Sequence, residues 1–326
     1  MKKTTDAPLG MHILEVEITT RCNLNCKHCY NRKFEPIDLP IDTFKQLFNF
    51  ATENNVWTFT ISGGEAFMHP NFQEILDFIQ SKPHKFRLVL QSNGTLFQNP
   101  ENQKKISAFD LVHLSCDSVS DVRLFGEKNF ITAKALMDQG IDCYLFATIH
   151  KKNKDSILSL VKKAKSIGVP IGFNICIQTE NLPASFLLNK EEFMETEKLL
   201  NSLYEAGDIL RYSSPLIALL DPAKQQTFNG IHGGCSAGIA ACVVDPKGEV
   251  YPCPFFRKSA GNIYKNNLYS IWLESPLFKT LRARLQYDEP CKSCKSLSHC
   301  GGCRNRSYNN TGSLTACDPL CYKDLL

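Results

Sequence analysis

The chain has 326 residues, 43% of them hydrophobic, and a formal charge of +4, enough apolar material for one large barrel or two domains. No run approaches the 18 consecutive apolar residues of a membrane span, and the opening MKKTTDAPLG has two lysines but no apolar core of a signal peptide, so a cytoplasmic protein without a membrane partner is expected. Fifteen cysteines in that reducing setting argue against disulfides and for metal ligation.

From residue 11 to about 207 short apolar runs alternate with helical patterns, as in successive βα units around a parallel sheet. The strand candidates are 12–19, 56–62, 86–91, 111–116, 142–149 and 169–177. Between them, Phe72, Ile75, Leu76 and Ile79 follow the helical i, i+3, i+4, i+7 spacing, and Ile157, Leu160, Val161, Ala164 and Ile167 repeat that face. Six units predict an α/β fold, a partial (β/α)6 TIM-like barrel over 11–210, with its chemistry on loops at the carboxyl ends of the strands.

The first such loop is Arg21-Cys22-Asn23-Leu24-Asn25-Cys26-Lys27-His28-Cys29-Tyr30, with thiols at C-x3-C-x2-C. A closed structural site takes four protein ligands, so three leave one metal position open; zinc, or three reduced core thiols, are the competing readings. The second strand runs into Ser62-Gly63-Gly64-Glu65, where glycines admit close backbone approach and a carboxylate can hold an ammonium group. The third ends at Gln91-Ser92-Asn93-Gly94-Thr95 and the fourth at Ser115-Cys116-Asp117-Ser118, followed by Asp121 and Arg123. Cys116, Cys143 and Cys176 are scattered singly and read as small buried hydrophobes.

Residues 211–230 read as a connector, broken by Ser213-Ser214-Pro215 and Asp221-Pro222. Beyond it, 231–326 carries nine of the fifteen cysteines and is a small α+β module that needs metal to hold it together. Cys235 and Cys253 bracket a hairpin turning at Asp245-Pro246-Lys247-Gly248, with Cys242 at the foot of its first half. Cys291, Cys294, Cys300 and Cys303 follow as C-x2-C-x5-C-x2-C, then Cys317 and Cys321. Zinc ribbons separate their two pairs by about 12 residues or more, so the five-residue gap is short for zinc.

The cysteine loop and the strand-end motifs resemble the radical SAM superfamily. That resemblance implies a 4Fe-4S cluster on Cys22, Cys26 and Cys29, whose fourth iron binds the amino and carboxylate groups of S-adenosylmethionine. An electron then breaks the sulfonium C–S bond and releases a 5'-deoxyadenosyl radical. It further implies that Gly63, Gly64 and Glu65 receive the methionyl amine, that Ser115 touches ribose or carboxylate, and that Asn93, Arg123 and Tyr30 also bind cofactor. The C-terminal thiols, with Tyr251-Pro252-Cys253-Pro254, Cys300-Gly301-Gly302-Cys303-Arg304 and Asp318-Pro319-Leu320-Cys321, resemble the SPASM domain and its two auxiliary clusters. The family pattern implies Cys235, Cys242, Cys253 and Cys303 for the first and Cys291, Cys294, Cys300 and Cys321 for the second, with Cys317 surplus. Some members leave a site on the first cluster open, which makes Cys242 the weakest of these ligands. Three clusters would bring the net charge from +4 to about −1, so no nucleic-acid partner is expected.

SPASM enzymes mostly modify ribosomally made peptides or proteins, and that is the expected substrate class. Enzymes acting on tetrapyrrole propionates resemble the Cys300 to Cys321 segment and are the alternative; a non-catalytic electron carrier would have no use for Gly63-Gly64-Glu65. The two-residue spacing of Cys300 and Cys303 leans away from sulfatase maturases, which have three. The resemblance also implies an external flavodoxin or ferredoxin; since the front of the chain is short, a leader peptide would need a separate binding protein, or the substrate is not a leader peptide.

Overall fold

The computed structural model describes residues 10–31, 35–119, 126–179, 182–220, 234–283, 286–297 and 299–326. Six strands lie where the pattern places them: β1 (Ile13–Glu17), β2 (Thr58–Ser62), β3 (Arg87–Ser92), β4 (Leu111–Ser115), β5 (Cys143–Ile149) and β6 (Ile171–Ile175). Each pairs in parallel with its neighbours in sequence. The crossovers are α1 (Ile41–Glu53), α2 (Phe72–Ser81), α3 (Pro100–Lys105), α4 (Gly126–Asp138) and α5 (Ile157–Ile167), and α6 (Lys190–Glu205) follows β6.

The helices bury the faces that their spacing predicts. α2 buries Phe72, Ile75, Leu76 and Ile79, and α5 buries Ile157, Leu160, Val161 and Ala164. Phe44 and Phe48 of α1 set their rings against Phe59 of β2, and burying a side chain of that size contributes about 1.5–3 kcal/mol. α5 stops at Gly168, whose φ of 70° is the left-handed conformation of a helix C-cap. α6 opens with a capping box between Asn189 and Glu192.

The sheet is longer than six strands. The segment read as a connector opens with β7 (Arg211–Ser213), parallel to β6; three residues are too few to show alternation in the sequence. At the other edge β8 (Ala241–Val244) lies parallel to β1. The expected hairpin is completed by β9 (Glu249–Tyr251), and β10 (Gly261–Asn262) follows it, both antiparallel. One ten-stranded sheet, in the order β10-β9-β8-β1-β2-β3-β4-β5-β6-β7, therefore joins barrel and C-terminal module. The module adds α7 (Leu268–Glu274), α8 (Pro276–Arg282) and α9 (Arg304–Thr311). Along β1, Leu14 and Val16 are fully buried in the apolar layer, which by the two-residue period turns Ile13, Glu15 and Glu17 to the lumen. Among the described residues no helix is long and apolar enough to cross a membrane.

Candidate functional site

The cysteine loop leaves β1 and is held at its base by neighbouring backbone. Thr19 Oγ1 donates to Asp38 Oδ1 at 2.6 Å, and Arg21 Nε donates to Asp38 Oδ2 at 2.9 Å. From the end of β2, Gly64 N donates to Thr19 O and Glu65 N to Arg21 O, both at 2.7 Å. That approach explains the glycine pair. A Cβ on Gly63 would lie 2.3 Å from Thr19 O and one on Gly64 2.1 Å from Arg21 O. Within the loop, Leu24 N approaches Cys22 Sγ at 3.4 Å.

The next strand ends close around this loop. Glu65 is fully buried, and its carboxylate accepts from Ser92 Oγ at 2.9 and 3.0 Å and from Asn93 N at 2.8 Å. Burial pushes that carboxyl up to about 7, against the pull of those donors. Asn93 Nδ2 donates to Asn23 Oδ1 at 2.9 Å and reaches Cys22 Sγ at 3.8 Å, so it braces the loop. Ser115 is tied by its carbonyl, which accepts from Asn129 Nδ2 at 2.7 Å; the same amide donates to Asn93 O at 2.8 Å. Arg123 lies outside the described residues.

Two further residues belong here that the sequence did not single out. His28 Nε2 lies 3.1 Å from Asp117 Oδ2, fixing the loop to the end of β4, and its ring packs against His150. Asn129, on α4, spans the ends of β3 and β4. Isolated polar residues of this kind carry no spacing signal, although His28 does stand inside the cysteine motif. Tyr30 points away from this group: its hydroxyl donates to Glu17 Oε1 at 3.0 Å in the lumen, and Arg257 of the C-terminal module stacks over its ring.

The C-terminal thiols fall into two sets. Cys235, Cys242, Cys253 and Cys303 line a cavity of 260 Å³ at the lumen, together with Glu15, Asn174, Phe193, Ser214 and Phe255. Cys235, Cys253 and Cys303 feel one another's charge. Cys242 sits differently: it is fully buried, and its Sγ lies 3.5 Å from Met11 Sδ. Cys291, Cys294, Cys300, Cys317 and Cys321 line a second, smaller cavity with Leu216, Leu219 and Tyr287. Cys116 and Cys143 are buried, as their scatter predicts, whereas Cys176, just past the end of β6, is only half-buried.

The family model for the radical SAM superfamily matches residues 16–200, more than half of the chain. The chain belongs to the radical SAM superfamily. A second model, for the iron-sulfur cluster-binding SPASM domain, matches residues 235–295 of this radical SAM enzyme. Among curated relatives, the subtilosin biosynthesis protein AlbA of Bacillus subtilis is 29% identical, over 94% of this chain and 70% of its own. The AdoMet-dependent heme synthase of Nitratidesulfovibrio vulgaris is 26% identical over 94% and 90%. Among solved structures, Streptococcus suis SuiB bound to its precursor peptide SuiA superposes with a TM-score of 0.77 at 16% identity, covering 96% of this chain and 76% of SuiB. The shared fold is the partial barrel with its SPASM module.

The radical SAM enzyme's own residues fit the iron-sulfur clusters and the S-adenosylmethionine of its family. The donor set at the loop is three thiols, with a carboxylate and two amide side chains around it. Among the described residues no three His, Cys, Asp or Glu side chains converge on a point that would hold a single metal ion, whereas a cube offers each thiolate its own iron. The buried Asn129 Oδ1 has no hydrogen-bond partner among the described residues, an acceptor at the strand ends open to a ligand donor. Burial drives the Cys22 thiol up and the Cys303 thiol up to about 11, so metal binding there must expel protons.

A buried carboxyl of this radical SAM enzyme lies near both C-terminal cavities. Glu197 is fully buried, accepts from Tyr322 Oη at 2.5 Å, and has no hydrogen-bond partner for Oε1 among the described residues. Burial raises it from 4.5 to about 8. The folded chain therefore holds a proton that the unfolded chain releases above about 4.5, and stability falls as pH rises towards 8. Wild type should lose about 1.4 kcal/mol more per pH unit than Glu197→Gln across that window, read as a melting-temperature gap changing by about 2 °C per unit. Parallel melting curves for the two proteins would contradict it.

Proposed function

We propose that this enzyme uses three 4Fe-4S clusters and S-adenosylmethionine to modify a side chain of a ribosomally made peptide or protein. Cys22, Cys26 and Cys29 would hold the first cluster, the set of Cys235, Cys253 and Cys303 the second, and the thiols around Cys291 the third. Cys242, expected with the second set, lies against Met11, and the cluster there is held by the other three. When bound, the first cluster supplies the electron that cleaves the sulfonium and yields a hydrogen-abstracting adenosyl radical. Glu65 holds the methionyl ammonium, Asn93 and His28 keep the loop in place, and the apolar wall of Ile13, Ile175, Phe193 and Phe255 keeps water from the radical. A flavodoxin or ferredoxin delivers the electron.

The observation that carries the peptide reading is the lining of the 260 Å³ cavity. Tetrapyrrole propionates call for free cations; Arg306 there is already engaged, and Arg304 is committed through Nη1 alone, its Nε and Nη2 having no hydrogen-bond partner among the described residues. Arg306 pairs with Asp318 at 2.6 Å, and Arg304 donates to the carbonyls of Leu314 and Ala316. Glu15 adds a carboxyl on the same wall, accepting from Ser62 Oγ at 2.6 Å. With a cluster on its thiols, the small space that remains, edged by an acidic and several amide or hydroxyl groups, suits a single side chain of a peptide. AlbA, named for bacteriocin biosynthesis, supports that reading; the heme synthase, with its closer match in length, supports the tetrapyrrole alternative.

The test is to reduce the reconstituted enzyme with S-adenosylmethionine and a short peptide encoded beside its gene. The expected result is 5'-deoxyadenosine together with a peptide lighter by two hydrogens. Turnover of a propionate-bearing tetrapyrrole, with the peptide unchanged, would overturn it.

A further inference from the structure

Arg304, the first residue of α9, is a buried cation whose hydrogen bonding is incomplete. It is 3% exposed, and its Nη1 donates to the carbonyls of Leu314 at 2.9 Å and Ala316 at 2.8 Å. Nε and Nη2 have no hydrogen-bond partner, and no carboxylate pairs with the guanidinium among the described residues. A buried charge is costly unless an opposite charge and a full set of hydrogen bonds offset it. Asp318 does not fill that role. Arg306 donates to it through Nε at 2.9 Å and Nη2 at 2.6 Å, and Cys303 N donates at 2.6 Å. The guanidinium lies where the two C-terminal thiol sets meet. Arg304 borders the first cavity, but its head packs on residues that line the second: it stacks over the Tyr287 ring at 4.3 Å, and a Cβ on Gly302 would stand 2.8 Å from its Nη2. Gly302 belongs to Cys300-Gly301-Gly302-Cys303, the short stretch that carries a thiol of each set. Lys323 also brings a positive charge to the second set, its Nζ lying 3.2 Å from Cys294 Sγ, but it is exposed and water screens it.

Resting on the reading that Cys291, Cys294, Cys300 and Cys321 hold the third cluster, we propose that Arg304 is the fixed counter-cation of that cluster and sets its reduction potential. A 4Fe-4S cluster on four thiolates is an anion of roughly −2, and it becomes more negative by one on reduction. It supplies the opposite charge that the guanidinium lacks, and sulfur acceptors for N–H groups that the protein leaves unpaired. A buried positive charge stabilises the reduced, more negative state more than the oxidised one, so the potential is held up. Arginine keeps its proton throughout the working pH range, which makes this a constant field rather than a switch. Arg304 thereby makes the third cluster an easier electron acceptor than its thiolates alone would.

The experiment compares full-length protein, reconstituted anaerobically, as wild type, Arg304→Gln, Arg304→Lys and Cys291→Ala. Iron is counted, and the midpoint potential of the third cluster is read by EPR during a redox titration, its signal being the one that Cys291→Ala lacks. Arg304→Gln should keep the wild-type iron content and make that cluster at least tenfold less reduced at the wild-type midpoint, a downward shift of about 59 mV for one electron. Arg304→Lys keeps the charge and should recover more than half of that shift. An unmoved potential in Arg304→Gln with its iron intact would overturn the proposal. Equal shifts in the two variants would do so too, because the lost guanidinium contacts and not the charge would then be responsible. If Arg304→Gln loses about four irons, Arg304→Lys decides: iron kept at a near-wild-type potential supports the counter-cation, and the same loss there overturns it. Weaker binding of a propionate-bearing tetrapyrrole by Arg304→Gln, with the potential unmoved, would overturn it and assign the charge to a substrate carboxylate. Wild-type iron content in Cys291→Ala would overturn it at the root, by showing that these thiols hold no cluster; every other adverse result leaves that reading standing.

Discussion

Gly64→Ala should lower 5'-deoxyadenosine formation by about 100-fold or more while leaving the C-terminal clusters in place. The added methyl would stand 2.1 Å from Arg21 O, 2.7 Å from Arg21 C and 2.8 Å from Thr20 O, all backbone atoms. Cβ atoms do not approach heavy atoms within 3.0 Å, so one strand end must retreat by about 1 Å, and close-packed interiors absorb that poorly. The hydrogen bonds from Gly64 N to Thr19 O and from Glu65 N to Arg21 O open as it does. Arg21 immediately precedes Cys22, and the cluster loop moves with it. A displacement of about 1 Å in a reacting group costs on the order of 100-fold. The product is measured by chromatography alongside iron content: wild-type turnover would sink the argument, and a loss of more than about four irons would mean general misfolding rather than a moved loop.

The tight seat of Gly64 was legible in the sequence only as permission for something to come close. The element pattern was more open to reading, because burial imposes it residue by residue. α2 had to place Phe72, Ile75, Leu76 and Ile79 on one face, and it buries those four. Pairing between distant segments leaves no such trace. The Asp245-Pro246-Lys247-Gly248 turn announces the β8–β9 hairpin, but nothing local says that β8 lies against β1 with Cys242 level with Leu14. Once that register is known, the two-residue period sets Cys242 beside Val244 and the buried helices, with Ala241 and Val243 on the other face. His28 and Asp117 are a similar case: 89 residues of chain separate two side chains that only the closing of the barrel brings to 3.1 Å. The cysteine spacings survive as signals because a cluster needs thiols on short loops whatever the rest of the chain does.

Glu65→Gln should weaken S-adenosylmethionine binding about 10- to 100-fold at pH 8 and remove most of its pH dependence below 7. A charge-assisted hydrogen bond contributes about 1.5–3 kcal/mol, and glutamine keeps the size and one acceptor while discarding the charge. In the unliganded protein burial holds the Glu65 carboxyl at about 7, so at lower pH it carries a proton that an arriving ammonium must displace. Affinity should therefore rise with pH up to about 7, by at most tenfold per unit, and level off above it. The glutamine variant has no proton to lose there and should be flat. Ser92 Oγ and Asn93 N both donate to this carboxylate; glutamine can accept from one and must turn its amide towards the other. That local cost, about 1–3 kcal/mol, is independent of pH and is read separately from the melting temperature. Calorimetric titration of the reconstituted proteins from pH 6 to 8.5 resolves the two effects. Equal affinities with parallel pH profiles would show that the ammonium group is bound elsewhere, and that Glu65 serves only to join the ends of β2 and β3.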